Sequence, residues 1–207
     1  FVTRMVTGKG EGPRITDEEV LMMVKLGSRT GHFKPHEAEV IQNILALEAR
    51  TAKDVMTPRS VVFALRADAT VGDVRDEEPL LNFSRIPVYG DNLEDIVGIV
   101  HRRDILTAIG DDRFGARLRE IMRPVHFVLD ATPLDALLRT FLARRQHLVV
   151  VIDQAGTLIG IATLEDVLEE ILGSEIVDEF DQVEDLQEYA RRQRAAVLRG
   201  QGAGRPS

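Results

Sequence analysis

Gly160-Ile161-Ala162-Thr163-Leu164-Glu165-Asp166, preceded by the apolar run Leu148-Val149-Val150-Val151-Ile152 and followed by a further apolar helix pattern, decides the reading of this chain. The run 148–152 predicts a buried strand, Asp153-Gln154-Ala155-Gly156 a hairpin turn, and Leu158 to Ala162 the returning strand. Thr163 then falls where a helix begins. There its hydroxyl and the free amides of the first turn point outward, and Asp166, three residues on, shares the same helix face. A hydroxyl beside a carboxylate suits the vicinal hydroxyls of a ribose, much as an acidic residue reads ribose in dinucleotide folds. Thr-x-x-Asp is also a capping-box variant, so a purely structural role competes with that reading.

The whole segment occurs twice, and internal repetition outranks any single motif. Arg85 to Asp91 and Gly98 to Leu106 align without a gap onto His147 to Asp153 and Gly160 to Leu168, at a constant offset of 62 residues. Upstream, Asp54-Val55-Met56-Thr57-Pro58 matches Glu120-Ile121-Met122-Arg123-Pro124 at an offset of 66, and Ala69-Thr70 matches Ala131-Thr132 at 62, so the first unit carries four extra residues. Each unit reads strand, helix, strand, strand, helix. The expected fold class is α/β, two tandem β-α-β-β-α units related by a pseudo-twofold axis.

Composition narrows the function classes. With 207 residues and 44% apolar content, the chain has enough material for one sizeable core or two small ones. No Trp and two Tyr argue against an aromatic platform for nucleic-acid bases. The formal charge of −8 is local: Glu165 to Glu188 holds eleven carboxylates and no Lys or Arg, and without them the remainder sums to +3. Zero cysteines exclude disulfide and thiol chemistry and are compatible with a reducing cytosol. No apolar run approaches the roughly 18 to 20 residues that span a bilayer. The five histidines, at 32, 36, 101, 126 and 147, show no metal-ligand spacing, and no nucleophile–base pair or phosphate-cradling glycine loop occurs, which points away from an enzyme.

The flanks are helical. Thr16-Asp17-Glu18-Glu19 is a capping box opening a short amphipathic helix with Val20, Leu21, Met23 and Val24, ended by Gly27 and Gly31. Met22 and Met23 read as packing residues rather than as a soft-metal pair. Pro35 starts a second helix with an apolar stripe of Val40, Ile41, Ile44, Leu45 and Leu47. After the repeats, Gln182 to Leu198 reads as a helix, acidic first and then rich in Arg, followed by a tail of disordered composition from Gly200 to Ser207. The terminal Arg cluster suits either a solvated helix end or anionic lipid head groups.

Two such units resemble a tandem pair of cystathionine-beta-synthase (CBS) domains, a Bateman module. The closer resemblance is to the cytoplasmic part of the CorC and cyclin M family of magnesium and cobalt transport proteins. Asp54 to Arg59, Ser84 to Tyr89, Thr163 to Ile171 and Glu175 to Phe180 carry it, and it covers roughly Thr16 to Asp181. The implied organisation is a helical linker over 1–50 that follows a membrane domain, CBS motifs over 51–112 and 113–176, and an acidic-to-basic helix with a tail over 177–207. The small additional domain common in that family has no strand-rich counterpart here. A chain beginning at Phe1 without an initiator Met is then expected to be the soluble piece of an integral membrane protein, lying on the cytoplasmic side.

The resemblance also implies a site. Thr163 and Asp166 hold the ribose of ATP, ADP or AMP, and Ile86, Pro87 and Ile161 form a slot for adenine. Arg85 places a guanidinium on the phosphates, where its fork is a natural partner, or else makes a surface salt bridge. Thr57 meets the base or phosphates, or caps the turn before Pro58. Phe83 and Ser84 line the nucleotide, though Phe83 also suits a core. The phosphates meet the acidic start of the last helix at Glu165, and Mg²⁺ bridging them relieves the repulsion, so ATP is expected to bind better with Mg²⁺. Glu169, Glu170, Asp178 and Glu179 read as a solvated face, or as carboxylates gathered at a homodimer interface that Mg²⁺ screens. The pseudo-symmetric cleft is expected to be poorer, because His101 stands for Thr163, Arg123 for Thr57 and His147 for Arg85, while Asp104 remains; one nucleotide per chain follows. The function implied is a regulatory Mg-ATP-binding module that couples nucleotide to ion transport. The alternatives are a nucleotide-independent dimerisation scaffold and control of a different effector.

Overall fold

The structure, a computed structural model, describes residues 16–173 apart from 78, 79 and 81. The expected helix over 182–198, the motif Glu175 to Phe180 and the carboxylates Asp178 and Glu179 lie outside the described residues. The chain begins with a helical hairpin, α1 (Asp17–Arg29) and α2 (Pro35–Ala46). Thr16 opens α1 with the expected box: its hydroxyl accepts the Glu19 amide at 3.3 Å and its own amide donates to Glu19 Oε2 at 2.9 Å. Two expectations fail here. The helix runs through Gly27 to Arg29 and turns at Gly31, whose φ of +77° a glycine adopts without strain. Among the described residues Met22 and Met23 do not pack: they are 71% and 61% exposed, because α1 lies chiefly against α2 there and buries only the narrow stripe around Val24. Ile44 of the second expected stripe is likewise exposed.

Short helix α3 (Ala52–Val55) and strand β1 (Thr57–Pro58) lead into the first repeat, β2 (Leu65–Arg66), α4 (Val71–Val74), β3 (Arg85–Tyr89), β4 (Ile96–His101) and α5 (Arg102–Gly110). The second follows through α6 (Leu118–Ile121): β5 (His126–Leu129), α7 (Leu134–Arg144), β6 (Leu148–Ile152), β7 (Leu158–Thr163) and α8 (Leu164–Leu172). The strand, helix, strand, strand, helix order is therefore present in both. Two sheets result, ordered β2-β3-β4 and β1-β7-β6-β5, with β2 parallel to β3, β5 parallel to β6, and the remaining pairs antiparallel.

The landmark segments Met56-Thr57-Pro58 and Met122-Arg123-Pro124 are exchanged between the repeats. Thr57 precedes the first repeat yet pairs with Ile161 of the second, and Arg123 precedes the second yet bridges Ile99 of the first. Both crossings run over a glycine. A Cβ on Gly160 would stand 2.4 Å from the Thr57 carbonyl oxygen and 2.9 Å from Met56 Sδ; on Gly98 the matching distances are 2.8 Å to Arg123 O and 3.0 Å to Met122 Sδ. The repeated Gly and Met are thus one device, a backbone crossing with a sulfur laid over it.

Strand alternation assigns the faces. Ile86, Val88 and Val100 enter the core of the first repeat with Ile105 and Leu118, and Val149, Val151 and Ala162 enter that of the second with Phe141 and Val167. A fully buried aliphatic side chain of this kind contributes about 1.5–3 kcal/mol. The opposite sheet faces meet in a third cluster, Ile96, Val150 and Leu158 with Tyr89 and Ile152. Arg85 and Pro87 on β3, and Thr57, Ile161 and Thr163 on β1 and β7, therefore lie on the faces that the two sheets turn toward each other.

Candidate functional site

Thr163 is the last residue of β7 and the N-cap of α8. Its hydroxyl accepts the Asp166 amide at 3.3 Å, and its amide donates to Asp166 Oδ2 at 2.7 Å, so the capping box is real. The same motif closes two other helices among the described residues. At Thr51/Asp54 and Thr70/Asp73 the threonine amide donates to the carboxylate at 2.8 Å in each, and the threonine hydroxyl donates at 2.9 Å and 2.7 Å. Those hydrogen bonds hold the Asp54 and Asp73 carboxyls below the usual value, as a stabilising cap should. Asp166 departs in the other direction. Burial pushes its carboxyl up to about 7 against the same bonds from Thr163, and Glu169 and Glu165 add to the rise. Of the three box carboxyls, Asp166 is the one raised rather than lowered.

Around it the sequence-expected residues divide. Thr57 is the one buried polar residue among those described, and it stands in register beside Ile161, which in turn pairs with Val150. Pro87 is buried on the facing sheet. Arg85 reaches across the junction: its Nη1 lies 4.0 Å from Glu165 Oε1 in the first turn of α8. His147 Nδ1 stands 3.8 Å from the same oxygen. Glu165 thus faces the Arg85 guanidinium of the first repeat, where an anionic ligand would compete with it, and has the His147 ring of the second beside it. Three residues contribute differently. Ile86 is fully buried in the core of the first repeat, since alternation turns it away from Pro87, and it offers a site its backbone rather than its side chain. Phe83 packs against the same core with its ring stacked on Phe63 at 6.0 Å. Ser84 is exposed, and its carbonyl accepts the Arg102 amide at 3.1 Å.

Two features had no sequence signal. The box Asp166 shares with Asp54 and Asp73 has the same Thr-x-x-Asp spacing, and burial, with the nearby Glu169 and Glu165, separates it from them. The far end of α8 carries the helical hairpin: Asn43 Nδ2 donates to the Ile171 carbonyl at 3.3 Å, and Arg50 pairs with Glu170. Glu170 is therefore held by a partner and is not a merely solvated face. Among the described residues no group of His, Cys, Asp and Glu is arranged to hold a metal ion, and no helix is long and apolar enough to cross a membrane.

The CBS domain profile matches residues 52–111 and 118–173. A UPF0053 protein of Synechocystis is 34% identical over 97% of this chain, which covers 58% of that protein; the chain spans about half the length of the curated relatives it matches. A solved CBS domain of a bacterial CNNM/CorC family Mg²⁺ transporter is 33% identical and superimposes with a TM-score of 0.74 over 79% of this chain and 99% of that one. A structure of such a domain in complex with ATP is 35% identical, with a TM-score of 0.64 over 68% of this chain and 99% of the other. With the repeats, the exchanged crossings and the paired sheets already in view, the chain belongs to the CBS-domain family, as a tandem CBS pair of the CNNM/CorC type.

Proposed function

We propose that this chain is the adenosine-nucleotide sensor of a CorC-type divalent-cation transport protein. The observation that carries the reading is the contrast among the three Thr-x-x-Asp boxes: Asp54 and Asp73 are exposed, whereas Asp166 is part-buried at the junction of the two sheets and has its carboxyl raised to about 7. Ribose hydroxyls donating to Asp166 would add to the bond from Thr163 and favour the ionised carboxylate. Ile161, Pro87 and the Thr57 methyl form an apolar edge for a purine, and Arg85 offers its fork to the phosphates. The donor set fits a nucleotide, and the ATP complex of a related domain supports that choice. Glu165 must yield Arg85 to the phosphates. The resulting like-charge contact is relieved by Mg²⁺, which favours phosphate oxygens and water with one or two carboxylates.

Occupancy would be passed on by α8, a helix with the ribose position at one end and α2 at the other. A ligand that prefers one placement of α8 biases the Asn43 and Arg50 contacts, and through α2 the chain that precedes them. In this reading the missing part of the protein is a membrane domain, the module lies on its cytoplasmic side, and two copies pair through the CBS units. The scaffold alternative rests on one observation, that Thr163 and Asp166 complete a capping box with each other.

Calorimetric titration of ATP, with and without Mg²⁺, separates the two. The sensor reading predicts saturable binding strengthened by Mg²⁺. No heat of binding in either buffer would leave the scaffold.

A further inference from the structure

The two repeats lay different side chains on matching backbone, and the differences fall at the N-cap of the last helix and in the crossing segment. Asp104 occupies in α5 the place that Asp166 occupies in α8, the third residue after the N-cap. It has no capping box to join, because His101 holds the N-cap position without a side-chain cap bond. Its carboxylate receives Arg123 instead: Nη2 donates to Oδ2 at 2.9 Å and Nε to the same oxygen at 3.3 Å, while Arg103 Nε stands 3.5 Å from Oδ1. Arg123 is delivered there by the crossing segment. Its amide donates to the Ile99 carbonyl at 2.7 Å and its carbonyl accepts the Ile99 amide at 2.9 Å, which mirrors Thr57 beside Ile161. The residue in the place of Thr57 therefore extends to the carboxylate in the place of Asp166.

We propose that Arg123 sets the number of nucleotides the chain accepts, its guanidinium seated on Asp104 and filling the ribose position of the second cleft from within. This rests on the nucleotide-sensor reading. A ribose offers neutral hydroxyl donors, whereas the guanidinium offers charge-assisted ones, roughly twice as strong, already in place and with no association entropy to overcome. His101 adds a second obstacle. Desolvation holds its imidazole below the usual value, with Arg123, Arg85 and Arg103 acting the same way and Asp104 opposing, so it stays neutral and bulky where Thr163 is small.

The test converts the second cleft to the chemistry of the first. Wild type and the double variant R123T/H101T are titrated with Mg-ATP, with circular dichroism as the check of fold. The expected stoichiometry rises from one per chain to two, and adding Asp166→Ala to the double variant returns it to one. A folded double variant that still binds one nucleotide overturns the proposal. A wild type that binds none sinks the sensor reading instead, which keeps the two failures distinct. Should the double variant not fold, thermal midpoints of R123Q, D104N and R123Q/D104N decide: a formed ion pair makes the two shifts non-additive, and additive shifts overturn the proposal.

Discussion

Asp166→Asn is expected to make the nucleotide-free chain more stable at pH 8 while abolishing its ligand binding. The folded carboxyl titrates at about 7 against 3.8 for the ordinary group. The sign follows from the raised value: the stabilising contribution is complete below pH 3.8 and is lost as the pH climbs through 7, so the free chain weakens between pH 4 and pH 8. A gap of about three units at 1.36 kcal/mol each sets an upper bound of ~4 kcal/mol. Asp166 is only partly buried by area, and local relaxation recovers some of that cost, so about 2 kcal/mol is the working figure. Asn Oδ1 still accepts the Thr163 amide, which leaves the cap in place. For a chain of this size about 2 kcal/mol corresponds to a rise of ~4–8 °C in the unfolding midpoint. Thermal or urea unfolding followed by circular dichroism at pH 4 and pH 8 measures it, with the gain largest at pH 8. If Asp166 were an ordinary cap residue, the variant would instead lose stability at pH 8, by about 0.5–2 kcal/mol. Equal or lower stability of the variant at pH 8 would refute the argument.

The same carboxyl couples the ligand to protons. Ribose hydroxyls favour its ionised form, so affinity for AMP should rise from pH 5.5 to pH 8 with proton release below neutrality, read as a binding enthalpy that depends on the buffer's ionisation enthalpy. Gly160→Ala puts a methyl 2.4 Å from the Thr57 carbonyl. Because that carbonyl belongs to β1 and cannot swing aside, the variant should lose about 1–3 kcal/mol in urea unfolding and also weaken nucleotide binding. Glu165→Gln removes the anion facing Arg85, so ATP affinity without Mg²⁺ should increase several-fold and the Mg²⁺ dependence shrink; an unchanged dependence would place the Mg²⁺ effect elsewhere.

The architecture was legible because two independent signals agreed. The constant offset of 62 residues marks the repeat, and the turn and strand patterns from Leu148 to Ala162 mark the hairpin within it. Helix ends were less legible. Gly27 reads as a stop, yet a glycine inside a helix stops nothing when a neighbouring ring, here Phe33, needs the space its missing side chain leaves. Met22 and Met23 look like core because hydrophobicity marks a candidate for burial and says nothing of whether a partner surface exists. At the site, the flanking strands and the repeat singled out Thr163 and Asp166, whereas the Thr-x-x-Asp spacing alone matches Thr51 and Asp54 and Thr70 and Asp73 equally well, and the unequal burial of the three carboxyls is a tertiary property. Ile86 beside Pro87 shows the same limit at the scale of one residue: strand alternation sends one to a core and the other to the junction. The exchange of the Met-x-Pro segments, which puts Arg123 on Asp104, is likewise a long-range fact that repeat spacing leaves open.

The account stands most directly on whether nucleotide binding is centred on Asp166 and Arg85. Calorimetric titration of Mg-ATP into wild type, Asp166→Ala and Arg85→Ala measures that, with urea unfolding as the control of fold. The account predicts one site in the wild type, no measurable binding in the folded Asp166→Ala chain, and affinity weakened at least tenfold in Arg85→Ala, as expected for losing one charge-assisted contact. Undiminished binding in a folded Asp166→Ala chain would contradict it and return Thr163 and Asp166 to the role of a helix cap.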